Sequence, residues 1–249
     1  MHLPDEFINS GAAASLAGAA AAMVGFAVHR VRQAFMEKIP VLKMRLATFP
    51  DFGGESGMSL ESRLSKYGRE QVWRMAVAGA LIFAAQMVNF PVADGTSGHL
   101  LGGVLAALVV GPFAALIVMT IILSMQVLMF GDGGIVALGA NIFNMGVVGA
   151  LGGYAFFQFL LRGAKDKQKI FLRSAFVAAW VSVIGAAVAA AFEIAVSGTE
   201  PLSTVLPAMT LLHIVIGAAE GAITVAVLAI LMQRHFKIAA FPDDSSDEQ

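Results

Sequence analysis

Residues 99–130 read HLLGGVLAALVVGPFAALIVMTIILSMQVLMF. As one helix this block would be about 48 Å long, at 1.5 Å per residue. That is too long for one upright crossing of a hydrocarbon core about 30 Å thick, and short for two. Gly111-Pro112 stands in its middle, a pair that interrupts a helix. The cations decide between the readings, because Lys and Arg collect on the cytoplasmic side of membrane proteins. With a tight turn at Gly111-Pro112 the chain has seven spans, its N-terminus outside and its C-terminus inside. All 16 Lys and Arg then fall on the cytoplasmic side, in residues 30–74, in residues 162–173, and as Arg234 and Lys237. With a single span the basic clusters would land on opposite faces. The expected fold is an all-α polytopic membrane protein of seven transmembrane helices.

The remaining apolar blocks are 10–28, 75–90, 135–161, 174–196 and 207–232. The composition agrees, at 58% hydrophobic and only 13% charged, where a soluble domain carries about a quarter charged residues. Residues 1–240 read as a single transmembrane domain, with 31–73 as an enlarged cytoplasmic loop and 241–249 as a disordered acidic tail. The opening MHLPDEFINSG lacks the basic start of a secretory signal, so it is expected to be kept. A net charge of −1 gives no footprint for nucleic acid. With no cysteine, any transition metal must be held by nitrogen or oxygen. Small residues recur at four-residue spacing, as in Ala13/Ala17/Ala21, Gly149/Gly153 and Gly217/Gly221, and such faces let helices approach closely in lipid.

Polar groups inside spans are costly and usually serve a purpose. Here they are Gln86, Asn89, Gln126, Asn141, Asn144, Gln158, Glu193, His213 and Glu220. On the seven-span topology several lie toward the outer half, together with His99 and the N-terminal segment. The external face carries Asp5, Glu6, Asp94, Asp132 and Glu200 and no Lys or Arg, a field that attracts cations. His29 and His235 fall at cytoplasmic span ends.

His2 is distinguished by position. A free amine on Met1, the His2 amide nitrogen and the His2 ring Nδ1 can close two fused chelate rings on one divalent ion that favours planar nitrogen donors. His99 could supply a fourth nitrogen. On its own, a Met-His start is also compatible with chance.

The opening MHLPDEF resembles the Met-His-Ile-Pro-Asp-Gly start of the CbiM/NikM family, the substrate-binding subunits of cobalt and nickel energy-coupling-factor transporters. The likeness continues in AAQMVNFPVADGTSGHLLGG (84–103), LMFGDGGIVALGANIFNMGVVG (128–149) and LLHIVIGAAEGAIT (211–224). It covers residues 1–30 and 74–232. The resemblance implies a seven-span subunit in a prokaryotic plasma membrane whose N-terminus inserts into the bundle from outside. It implies Ni²⁺ or Co²⁺ as transported substrate, with no organic cofactor, held in a planar nitrogen site by Met1, His2 and His99. Asn141, Asn144, His213 and Glu220 lie in similar motifs and would orient His2 or His99. The implied partners are membrane lipid, a transmembrane coupling subunit, two cytoplasmic ATPases and often a small accessory membrane subunit. The chain has no Walker motif of its own and is not expected to be an enzyme. Glu6 stands where the family start has glycine, which puts the turn there in question. The stretch 31–73 exceeds the family's usual link, either as a tolerated insertion or as a contact with the partners. A stand-alone channel or secondary carrier for a cation or small solute is the alternative function.

Overall fold

The computed structural model describes residues 2–43, 57–88, 90–91, 97–234 and 236–241. Met1, Asn89, Asp94 and His235 lie outside these, as do residues 242–249 of the expected tail. Most of the described residues are helical. A 3₁₀ turn at Asp5–Phe7 leads into α1 (Ser10–Phe35), whose first turn is capped by Asn9 accepting from the Ala12 amide at 2.8 Å. Next come strands β1 (Met36–Lys43) and β2 (Gly57–Leu64), helix α2 (Lys66–Gln86), and the short strands β3 (Phe90–Pro91) and β4 (Ser97–Gly98). Helices α3 (Gly103–Val110) and α4 (Pro112–Met125) follow, the latter extended by a π-helical stretch, Gln126–Phe130. A rod over Leu138–Leu161 combines α5 (Leu138–Ile142), a π-helical stretch (Phe143–Gly152) and α6 (Gly153–Leu161). Helices α7 (Lys167–Val196) and α8 (Leu202–Gln233) close the bundle.

The block 99–130 breaks at Gly111, whose φ of +91° suits glycine and starts α4 with Pro112 at its first position. Among the described residues, five helices are long and apolar enough to cross a membrane: Ser10–Phe35, Pro112–Phe130, Leu138–Leu161, Lys167–Val196 and Leu202–Gln233. The protein is therefore a multi-pass membrane protein. Two helices fall short of that standard for visible reasons. α2 places Lys66, Arg69, Glu70 and Arg74 in its first half. α3 has eight residues, about 12 Å, so its half of the block does not form a full-length span.

Residues 31–73 are not one loop. α1 continues to Phe35, β1 pairs antiparallel with β2, and α2 begins at Lys66. The joint is fixed by Ser65, whose amide and hydroxyl both donate to the Phe35 carbonyl at 2.9 Å while its Oγ accepts from the Gly68 amide. The strands were hidden in the sequence because their pairing is non-local. The tail boundary also moves. Phe241 rests edge-on against Phe171 at 5.1 Å, and the Ala240 amide donates to the Leu108 carbonyl, so the fold includes Phe241.

Small residues do pack the bundle internally. A β-carbon on Gly217 would lie 2.8 Å from the Trp180 ring, and one on Gly221 2.8 Å from the Phe176 ring, so α7 and α8 close tightly on each other. Gly149 and Gly153 sit as closely under Leu101 and Val104. α1 is attached differently. Its buried residues are Ala13, Ala20, Ala27 and Phe35, one stripe at two-turn spacing against α4 and α5. At that contact Gly139 meets the Ala17 backbone with no room for a side chain. Gly139→Val is expected to cost about 1–3 kcal/mol, read as a lower unfolding midpoint in detergent. Gly18→Val, which meets open space, should leave it unchanged. Equal midpoints would show that α1 does not seat on α5.

Candidate metal-capture site

The N-terminal segment is docked through its main chain. The Leu3 amide donates to Asn141 Oδ1 at 2.8 Å, and Asn141 Nδ2 donates back to the Leu3 carbonyl at 3.1 Å. The same carbonyl accepts from the Gly134 amide at 3.0 Å. Two residues on, Asp5 Oδ1 accepts from the Ala137 amide at 2.9 Å. Thr199 Oγ1 donates to the Phe7 carbonyl at 3.2 Å. The loop 131–134 can lie this close only because it carries glycine. A β-carbon on Gly134 would fall on the Asp5 side chain, and one on Gly133, whose φ is +89°, would lie 3.1 Å from Asn141 Nδ2 and 3.3 Å from His2 Cβ. Glu6 is exposed and occupies the 3₁₀ turn, whose φ is negative, so this turn does not require glycine.

This docking buries His2 (2% exposed) against His99 (0% exposed). Their rings stack with centroids 4.6 Å apart and 28° between planes. His99 Nδ1 lies 2.7 Å from the Leu100 carbonyl. A carbonyl only accepts, so Nδ1 carries the proton and the neutral ring presents Nε2 as a lone pair. That Nε2 is buried and has no hydrogen-bond partner. His2 Nδ1 stands 3.2 Å from Asp132 Oδ1 without hydrogen-bond geometry, and His2 Nε2 is likewise buried and unbonded. Buried imidazole nitrogens left unpaired are unusual and are what a nitrogen-seeking metal uses. Among the described residues no group of three His, Asp or Glu side chains is arranged to hold a metal.

The segment bearing His99 is held from the other side. Leu101 and Gly102 donate their amides to Glu220 Oε2 and Oε1 at 2.8 and 2.6 Å. Gln86 Nε2 donates to the Leu101 carbonyl at 2.6 Å, and Gln126 Nε2 donates to Gln86 Oε1 at 3.0 Å. α2, the extension of α4 and α8 thus fix Leu101 and Gly102, the last non-helical residues ahead of α3.

Of the residues singled out in the sequence, the His2 and His99 rings meet directly, Asn141 holds the Leu3 main chain beside them, and Glu220 fixes the turn after His99. Asn144 Nδ2 donates to Glu193 Oε2 at 2.7 Å, and His213 Nδ1 donates to Met209 O within its own helix at 2.6 Å. Gln158 pairs with Tyr154 on α6. Met1 lies outside the described residues. Sequence reasoning had given no role to Asp132 beside His2 or to Asp5 on Ala137. Their signal was their setting: Asp132 is flanked by glycines in FGDGG, and Asp5 follows Pro4 in the docked segment.

Comparison with known proteins gives concordant matches. Residues 57–238 match the family profile described as the cobalt uptake substrate-specific transmembrane region. A putative fused nickel transport protein of Archaeoglobus fulgidus is 32% identical over 233 residues, covering 93% of this chain and 65% of its own length. A putative metal transport protein of Haloquadratum walsbyi is 38% identical over 173 residues, 69% of this chain and 77% of its own. A crystal structure of a truncated transition metal transporter superposes with a TM-score of 0.75 at 28% identity, covering 94% of this chain and 99% of that one.

Asn141→Leu removes both bonds to Leu3. At about 1 kcal/mol net per bond, the docked segment should open roughly thirtyfold more often. Aminopeptidase digestion of the purified protein measures this; an unchanged rate would show that Asn141 is not the clasp.

Proposed function

The chain belongs to the CbiM family of cobalt-uptake transmembrane proteins, and we propose that it is the metal-capturing subunit of an energy-coupling-factor uptake system for Ni²⁺ or Co²⁺. The observation that carries this is the buried stack of His2 on His99, with unbonded ring nitrogens, at the end of a segment docked by its main chain. The ion binds the Met1 amine, the His2 amide nitrogen and His2 Nδ1, and His99 Nε2 closes the plane. Main-chain donors explain how a site with few side-chain ligands could be selective for ions that favour planar nitrogen. Loading through Nδ1 exchanges the Asp132 contact for the metal. Asn141 and Glu220 then act as positioning residues, Asn141 for the N-terminal arm and Glu220 for the His99 turn. Asn144 and His213 stand further back in the same arrangement.

In this reading the bundle crosses the bacterial or archaeal plasma membrane seven times, with α2 and the short α3 completing the count. The N-terminus faces outside and the C-terminus the cytoplasm, which leaves every Lys and Arg inside. ATP is hydrolysed by two partner ATPases acting through a transmembrane coupling subunit, with an accessory membrane subunit where one is present. The partners supply the movement that opens the site for release.

Titration calorimetry with Ni²⁺, Co²⁺ and Zn²⁺ tests the site on protein with a native start, an N-terminal Gly extension, and His2→Ala. Both variants should bind at least about a hundredfold more weakly, and the order of the metals names the substrate. Retained affinity in the extended protein would remove the amine from the site and favour a channel or carrier. Binding must expel the amine proton, whose ordinary pKa is near 8, and the amide proton. Affinity should therefore rise from pH 6 to pH 8, roughly tenfold or more per unit; a flat profile would exclude the chelate.

A further inference from the structure

We propose that the elbow between α1 and the β1–β2 ribbon is a binding site for the phosphate of an anionic phospholipid. His29, Arg32, Gln33, Met36, Lys38 and Ser62 line a cavity of about 490 Å³ there. Arg32 and Lys38 are cationic, His29, Gln33 and Ser62 offer further hydrogen bonds, and no carboxylate lines the cavity among the described residues.

Ribbon register produces this sorting of charge. Lys38 pairs with Ser62 across the strands, and Glu37 pairs with Arg63. Neighbouring positions on a strand face opposite ways, so Lys38 and Ser62 turn toward α1 while Glu37 and Arg63 turn away. Glu37 and Arg63 satisfy each other there at 3.1 Å. Glu37 is thus turned out of the cavity and Lys38 is left in it.

Depth argues for a lipid source. From Ser10, the apolar part of α1 runs through residue 28, about 28 Å of helix, close to one hydrocarbon thickness. His29 and Arg32 then stand at headgroup level. One turn above the cavity α1 exposes Phe26 (47%) and Val28 (46%), apolar surface suited to an acyl chain below the phosphate. Arg30 holds the register of this turn, lying over the Phe26 and Phe113 rings at 5.9 and 5.4 Å, so it anchors α1 to α4. Basic pockets at this level are the chemistry that recognises phospholipid headgroups.

Native mass spectrometry of the full chain in detergent, titrated with phosphatidylglycerol or phosphatidylcholine, tests the proposal. The expected result is about a tenfold preference for phosphatidylglycerol that falls with salt. The preference should vanish in Arg32→Ala/Lys38→Ala and persist in Arg63→Ala and in Arg32→Lys. Unfolding midpoints matching the parent protein certify the double variant. Equal binding of the two lipids, or a preference that survives the double substitution, overturns the site. Displacement of phosphatidylglycerol by millimolar inorganic phosphate overturns the lipid as its source; no displacement supports it.

Discussion

A backbone that leaves its helix among lipid-embedded spans must find partners for every N–H and C=O, because no water is there to serve. Residues 99–102 meet that demand through Glu220 and Gln86. The Glu220 carboxylate takes two successive amides, and Gln86 supplies the carbonyl's donor. The rest of the architecture follows from this. α3 can be short because its N-terminal end is satisfied from α8. The residues just ahead of it can be irregular because Leu101 and Gly102 find side-chain partners for the groups a helix would have served. His99 can turn its ring toward the N-terminal segment because its own backbone neighbourhood is fixed. Gln126, behind Gln86, ties α4 into the same chain of bonds, so three helices agree on the position of one turn.

The N-terminal segment solves the matching problem from the opposite direction. It has no helix of its own before Ser10 beyond one 3₁₀ turn, and it borrows a strand-like pairing from the Asn141 side chain and the Gly134 amide. The pairing uses main-chain atoms of Leu3, so it fixes His2 without asking anything of the neighbouring side chain. Glycine in the facing loop is a requirement of this approach, since side chains at 133 and 134 would strike His2 and Asp5.

Much of this was legible in the sequence, and the limits have physical causes. The apolar blocks and the Gly111-Pro112 break announced the helices, because helix breaking and lipid solubility are local properties. His2, His99 and Asn141 were legible through motif resemblance; the two rings stack, and Asn141 bonds to the Leu3 main chain. The ribbon was not foreseen, because strand pairing joins residues on either side of an intervening stretch and leaves little local trace. Asp132 was seen as external charge only; its distance to His2 depends on a loop conformation set by two glycines.

The burial of His2 and His99 also bears on electrical work. A divalent ion taken from water into a closed, low-dielectric interior would ordinarily meet a heavy solvation penalty and would feel any voltage across the membrane. The proposed chelate trades protons for the ion: one from the ammonium and one from the amide. Two positive charges leave as two arrive, so the N-terminal segment with its ion carries the same total charge as the segment without it. Loading becomes an electroneutral exchange, so the depth of the site costs little in field energy, and the driving variable for capture is the proton activity outside and not the membrane potential.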